Sequence, residues 1–317
     1  MPTITHIRLD YRRMKISMAD SNQKKSIRAL LTGIVDYAGL FPPSQLSMPQ
    51  AVANYAAYGQ SDYKWMLGQF IVPVARLDEF TRNANDFFSK TEDVWRLSVL
   101  AGEDIYETVR VVEEFNHAHH ARAVCDALEV KANTSYEIKE LAEAASPRLK
   151  TYFEIPVDAH LADLISTLAV CGVRAKIRTG GVTEAAFPPV EQIVRFMRVC
   201  LAANVPFKAT AGLHHPLRSV KPLTYEADAP EGTMNGFLNV FLAAAFLQQG
   251  YQPKLVAELL KDKRADNFLF DNNGVLWRQE HFLSTIALEN LRTRSAISFG
   301  SCSFIEPVED LQEIGLL

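Results

Sequence analysis

The segments Ala175-Lys176-Ile177-Arg178-Thr179-Gly180-Gly181 and Phe207-Lys208-Ala209-Thr210-Ala211-Gly212 decide how the chain is read. Each is a short run of alternating character that ends in glycine, as a strand does where it enters a turn. The two lysines lie 32 positions apart (208 − 176), about the length of one strand–helix–strand unit. Between them Val190, Ile193, Val194, Met197 and Leu201 recur at helical spacing. Two neighbouring parallel strands therefore each carry a lysine. Strand side chains alternate between faces. Lys176 and Arg178 share one face, and Ala175 and Ile177 the other; Lys208 and Thr210 oppose Phe207 and Ala209 in the same way.

The unit repeats outward from this pair. Further strands are expected at 34–38, 67–74, 95–100, 121–130 and 151–156, with the two above at 175–178 and 206–211. Helical spacing appears at 48–58, 105–115, 136–145 and from Met234 to Ala245. Strands alternating with helices predict an α/β fold with a parallel sheet. Seven such units and one more make a (β/α)₈ TIM-like barrel, usually about 250 residues long. The eighth strand has two candidates. The run from Phe268 to Trp277 reads as a hairpin around Asn273-Gly274, and 297–304 is its rival. The stretch between Gly212 and Gly232 holds Pro216, Pro222 and Pro230, and reads as a functional or disordered loop.

The chain divides into a flexible lead-in over 1–24 and one barrel domain with a C-terminal extension over 25–317. In the first 25 residues Arg8, Arg12, Arg13, Lys15, Lys24 and Lys25 face only Asp10 and Asp20. No apolar core of a signal peptide succeeds them, and Met14 or Met18 can serve as the start. The segment from Phe299 onward either caps the barrel or reaches a partner subunit. Formal charge is 33 − 37 = −4, so no basic excess points to nucleic acid. No apolar stretch is long enough to span a membrane. Cys125, Cys171, Cys200 and Cys302 are scattered, which suits a reduced, cytoplasmic compartment. Self-association into a homo-oligomer stays open.

In a barrel the apolar strand faces meet the helices and the polar faces point inward, toward the C-terminal mouth where barrel active sites lie. Glu154 and Tyr152 form such an inward pair on the strand before Lys176. Lys176 and Lys208, brought close, are expected to push one amine pKa down and make a nucleophile. The alternative is a structural pair bound to carboxylates such as Glu154. Arg178 suits phosphate or carboxylate, or an ion pair with Glu154. Gly180-Gly181 and Gly212 let backbone amides approach a ligand, or make plain tight turns. His214 is a candidate acid or base and His215 a weaker one. Asn235 and Asn239 can hold a polar ligand or serve as a cap and a buried amide. His117, His119 and His120 read as structural at a helix end. Cys302 has a nucleophile's chemistry, but no partner base is visible in sequence.

The two lysine segments resemble class I deoxyribose-phosphate aldolases. That family carries a Schiff-base lysine on barrel strand six in a K-x-S-T-G pattern, matched by Lys176, Thr179 and Gly180. A second lysine on strand seven, in K-[AP]-[SA]-G-G, is loosely matched by Lys208, Ala209, Thr210 and Gly212, with Thr210 in the place of the small residue. Arg178 replaces the family's serine and Ala211 a glycine of the phosphate turn. The family's strand-borne aspartate relay has no motif match. The segment Asp36-Tyr37-Ala38-Gly39-Leu40-Phe41-Pro42-Pro43 and the His214-His215-Pro216 run also look like a family of uncharacterised bacterial barrel proteins. The barrel likeness implies no activity; the aldolase resemblance implies that Lys176 forms the imine and Lys208 lowers its pKa. The leading expectation is thus a cofactor-free lyase acting on a small anionic carbonyl substrate, with Glu154 or His214 moving protons. Arg178, Thr179, Gly180, Gly181, Thr210, Gly212, His215 and Asn235 would hold the substrate. Rival expectations are a metal-dependent hydrolase or isomerase using His214, Glu154 and Asp36, and a non-catalytic anion-binding barrel.

Overall fold

Eight parallel strands close on themselves in the computed structural model, which describes residues 23–88 and 93–317. In chain order the strands are β1 (Val35–Tyr37), β2 (Leu67–Pro73), β3 (Trp95–Leu100), β4 (Ala123–Lys131), β5 (Lys150–Glu154), β6 (Arg174–Arg178) and β7 (Phe207–Thr210). Then come β8 (Ser219–Pro222), β9 (Glu231–Met234), β10 (Phe268–Phe270), β11 (Gly274–Trp277), β12 (His281–Ser284) and β13 (Ala296–Ser301). The barrel runs β1 through β7 in order and is closed by β13, which pairs with both β7 and β1. The chain is therefore a (β/α)₈ barrel. Residues 1–22 of the lead-in, with the alternative methionines, lie outside the described residues, whereas Lys24 and Lys25 are described and Lys25 opens the helix Lys25–Leu31.

The rivalry for the eighth strand resolves in favour of 297–304, with shifted bounds. A strand walled by helices outside and neighbours inside is buried on both faces. In β13 every residue but Ile297 is buried, whereas β10 alternates buried, exposed, buried. The expected hairpin does form, but β10 and β11 join β12 in a separate antiparallel sheet. Phe299 belongs to the closing strand, and a short turn from Cys302 leads from it into a helix, Ile305–Glu313. The proline-bearing stretch after Gly212 is not structureless either: β8 and β9 pair there as a second hairpin.

The helices begin where local chemistry allows. Ser47 and Gln50 make a capping box for Met48–Tyr58. Asp104 accepts from the Tyr106 and Glu107 amides at the head of Ile105–His119, and Thr134 caps Ser135–Ala144. Leu161–Cys171 stops at Gly172, whose φ of +67° suits glycine. Phe237–Gln248 is apolar nearly all round, because Pro253–Lys261 and Thr285–Arg294 pack over it.

One buried cation seals the seam. Arg292 donates to Leu30 O (2.7 Å) and Thr32 O (2.9 Å) at the end of the helix Lys25–Leu31, and to Ala296 O (2.6 Å) and Ile297 O in β13. Burial pulls its pKa down to about 10, so it still carries its charge at neutral pH. The arrangement ties the helix before the first strand to the last. Arg292→Met strands these carbonyls without a donor and is expected to cost about 3 kcal/mol. Urea unfolding will show this as a lower midpoint at unchanged slope; an unmoved midpoint would discard the seam.

Candidate active site

The register sets the lysines side by side. Lys176 pairs with Lys208 across β6 and β7, and Glu154 pairs with Lys176 across β5 and β6. Both amines are buried. An unpaired ammonium there would cost several kcal/mol, and carboxylates from other strands meet each one. Lys176 Nζ donates to Glu129 Oε2 at 2.7 Å and lies 3.0 Å from Glu154 Oε2. Lys208 Nζ lies 2.7 Å from Asp36 Oδ2 and 3.7 Å from Glu129 Oε1, and donates to Gln69 Oε1 at 2.7 Å. Its charge also stands over the Tyr152 ring, 4.5 Å from the centroid. Glu129 thus bridges the two cations. Further donors meet two of these carboxylates. Ser98 donates to Glu129 Oε1 (2.7 Å), Ser298 to Asp36 Oδ2 (2.6 Å), and the Gln69 amide to Asp36 Oδ1 (2.8 Å). Gly68 makes room for that last contact, since a β-carbon there would lie 2.4 Å from Asp36 Oδ1.

Charge balance explains the electrostatics. Two lysines against Asp36, Glu129 and Glu154 give 2 − 3 = −1, and Arg178, 3.2 Å from Glu154 Oε1, brings the group to neutrality. Burial pushes Glu129 up, but Lys176 and Lys208 outweigh it and hold the carboxyl at about 2. Burial likewise pulls both lysines down, and their carboxylates more than reverse it. Lys176, between Glu129 and Glu154, and Lys208, beside Asp36 and Glu129, both end above the ordinary lysine value. This corrects the expectation that one amine depresses the other. A carboxylate stands between them and answers the charge of each.

Above this floor opens a cavity of about 780 Å³. All eight barrel strands or the residues just after them line it: Ala38, Ile71, Leu100, Glu129, Glu154, Lys176, Thr210 and Gly300 among them. It therefore occupies the C-terminal mouth. Lys176 reaches the cavity, whereas Lys208 sits beneath, out of its lining. Arg178 is half exposed at the rim, near Gly181 and Gly212 in the wall.

His214 also lines the cavity, and its Nδ1 lies 3.4 Å from Glu306 Oε2 and 3.8 Å from Cys302 Sγ. Burial lowers its pKa, but the neighbouring Cys302 sulfur and Glu306 carboxylate carry it up to about 10. These neighbours favour the imidazolium, so the ring suits an acid better than a base.

Four expected substrate-binding residues have structural partners instead. The Thr179 hydroxyl is fully buried and donates to Ala211 O at 2.7 Å, joining the tails of β6 and β7. Gly180 packs against Gly212 and the Phe187 ring; a β-carbon on it would lie 2.9 Å from Gly212 Cα. His215 turns to Asp310, 2.5 Å away. Asn235 accepts from Arg218 Nη1 at 2.6 Å and donates to Thr179 O. Asn239 donates to Leu259 O and Asp262 O as a buried amide. Nor do the expected metal ligands converge: Asp36 pairs with Lys208, Glu154 with Lys176, and His214 with Glu306. Among the described residues no cluster of three His, Cys, Asp or Glu side chains is arranged to hold a metal ion, and no helix is long and apolar enough to cross a membrane.

Sequence reasoning missed Glu129, the hub of the floor. Its signal is present: a glutamate inside the buried run Ala127-Leu128-Glu129-Val130, where an acid needs a partner. Compared with known proteins, the chain matches no protein-family model and no curated protein.

Glu129 makes stability acid-sensitive in a defined window. Its folded pKa of about 2 lies below the ordinary 4.5, so its contribution is present above pH 4.5 and lost as pH falls toward 2. The loss approaches about 3 kcal/mol. Glu129→Gln is expected to be less stable at neutral pH, yet to lose less stability on acidification. Urea midpoints measured across that range decide it; parallel acid profiles for the two proteins would contradict the assignment.

Proposed function

We propose that this protein is a lyase of the aldolase type, with Lys176 as the amine that forms an imine with a small carbonyl substrate. What carries the reading is the position of one side chain: Lys176 lines the cavity, with its Nζ held between Glu129 and Glu154, and a second lysine lies outside that lining. The protonated imine of a lysine puts positive charge on the same atom as the ammonium. A site that favours charge at that atom before the reaction stabilises it in the intermediate without rearranging. The iminium then draws electrons from the adjacent carbon–carbon bond as it breaks.

Lys176 must first lose a proton. Glu129 and Glu154 are near enough to take it, and Glu154 lies at the cavity wall, from which the proton can pass on. His214 can donate the proton with which the carbinolamine hydroxyl leaves as water, and a carboxylate at the cavity wall, Glu154, can take the β-hydroxyl proton as the carbon–carbon bond breaks and a carbonyl forms. Arg178 and the backbone at Gly181 and Gly212 suit a phosphate or carboxylate on the substrate's far end. Lys208 serves as the fixed cation that keeps Glu129 ionised and aimed. The likeness of the two lysine strands to deoxyribose-phosphate aldolases supports the same assignment, since Lys176 and Lys208 fall on the sixth and seventh barrel strands.

Borohydride reduction in the presence of small phosphorylated or carboxylated aldehydes and ketones is expected to fix mass on Lys176, and none in Lys176→Met. Binding of these compounds without trapped mass across the panel would favour an anion-binding barrel instead.

A pH profile gives a second check. The raised Lys176 pKa leaves little neutral amine at pH 7, so kcat/KM should climb with pH by about tenfold per unit through the neutral range. A flat profile there would oppose attack by this amine.

A further inference from the structure

Cys302 comes directly after β13 and forms part of the cavity wall, with only 5% of its surface exposed. Its sulfur lies 3.8 Å from His214 Nδ1 and 3.7 Å from the Tyr225 hydroxyl. Glu306 Oε2 approaches the same ring nitrogen at 3.4 Å, and the Ser301 hydroxyl stands 3.5 Å from it. These groups come from three separate parts of the chain: the turn after β7, the connection between β8 and β9, and the segment running from β13 into the helix Ile305–Glu313. Tertiary structure, not one turn or one helix face, assembles them.

The other cysteines lack this setting. Cys125 and Cys200 are buried, and burial alone pushes their thiols up. Cys171, at the end of Leu161–Cys171, is the more accessible of the four. For Cys302 burial also works against ionisation, but the hydrogen bond and charge of His214 bring the thiol below its ordinary value. A thiolate beside an imidazolium is the arrangement in which a cysteine becomes nucleophilic at neutral pH.

We propose that Cys302 is a nucleophilic thiolate held by His214 at the rim of the cavity, and that small hydroperoxides entering the cavity oxidise it to a sulfenic acid. The sulfur attacks one peroxide oxygen; a sulfur–oxygen bond forms as the oxygen–oxygen bond breaks. Sulfur gives up two electrons and the departing oxygen receives them. His214 supplies the proton that lets it leave as water, or as an alcohol from an alkyl hydroperoxide. Small oxidants fit this role because the sulfur is reached only through the cavity wall. Among the described residues no other cysteine lines the cavity, so the sulfenic acid has no neighbouring thiol with which to form a disulfide.

The test uses the intact protein and reads sulfur alone, so it stands or falls apart from Lys176 chemistry. Limiting iodoacetamide near pH 7, followed by peptide mass mapping, is expected to label Cys302 ahead of Cys171. Exposure alone predicts the reverse order, and that order would overturn the proposal. Hydrogen peroxide with dimedone should place the sulfenic-acid adduct on Cys302; no adduct there would refute the oxidation step. His214→Asn should slow alkylation of Cys302 by about tenfold or more, and an unchanged rate would refute the role of His214. Should that variant not fold, the wild-type rate settles the point. Alkylation already near its plateau at neutral pH supports the ion pair, whereas a climb of about tenfold per pH unit up to the ordinary thiol range contradicts it.

Discussion

A shared carboxylate holds the centre of this molecule together. Glu129 accepts Lys176 on one oxygen and faces Lys208 with the other, and the rest of the floor depends on that bridge. Two ammonium groups on adjacent strands repel each other, and neither tolerates burial alone. With Glu129 between them, Asp36 beside one, Glu154 beside the other and Arg178 at the rim, the group carries balanced charge at the base of the cavity. Such networks add little net stability compared with an apolar core, but removing one member leaves its partner uncompensated. The cluster is therefore better understood as a device for placing charge than as a source of stability.

Position within the network divides the labour of the lysines. Lys208 is held by Asp36, Gln69 and the Tyr152 ring, and no face of it reaches the cavity. Lys176 shares the same electrostatic surroundings but contributes to the cavity wall. Chemistry that needs an amine must use Lys176, while Lys208 holds Glu129 in its ionised form from below. The rim adds a third kind of group, a charged imidazole near a thiol, so acid, cation and nucleophile surround one cavity.

The barrel was legible because its units are regular. Alternation marked the strands, and the spacing of Val190, Ile193, Val194, Met197 and Leu201 marked the helix between the lysines. The eighth strand was harder. Residues 268–277 carry a stronger local hairpin signal than β13, and only closure against β1 and β7 distinguishes the two. The inward faces of Lys176, Lys208 and Glu154 were readable from parity. Glu129 was not singled out because its partners lie 47 and 79 positions away (176 − 129 and 208 − 129), beyond any local pattern. Thr179 and Asn235 show the opposite failure: polar residues beside a glycine turn looked available to a ligand, but backbone carbonyls and Arg218 had already engaged them. Cys302 lacked a visible base for the same reason as Glu129, since His214 reaches it only through the folded barrel.

The closing strand has a consequence for how the protein is made. Ser298, which completes the environment of Asp36, lies on β13, and Arg292 precedes that strand by only a few residues. As the chain leaves the ribosome, both lysines emerge long before the last strand that shuts them in. Until β13 arrives between β1 and β7 the barrel stands open along one side, and its inner charges keep their water. Dehydration of the floor is thus deferred until the strand that closes the barrel has been made.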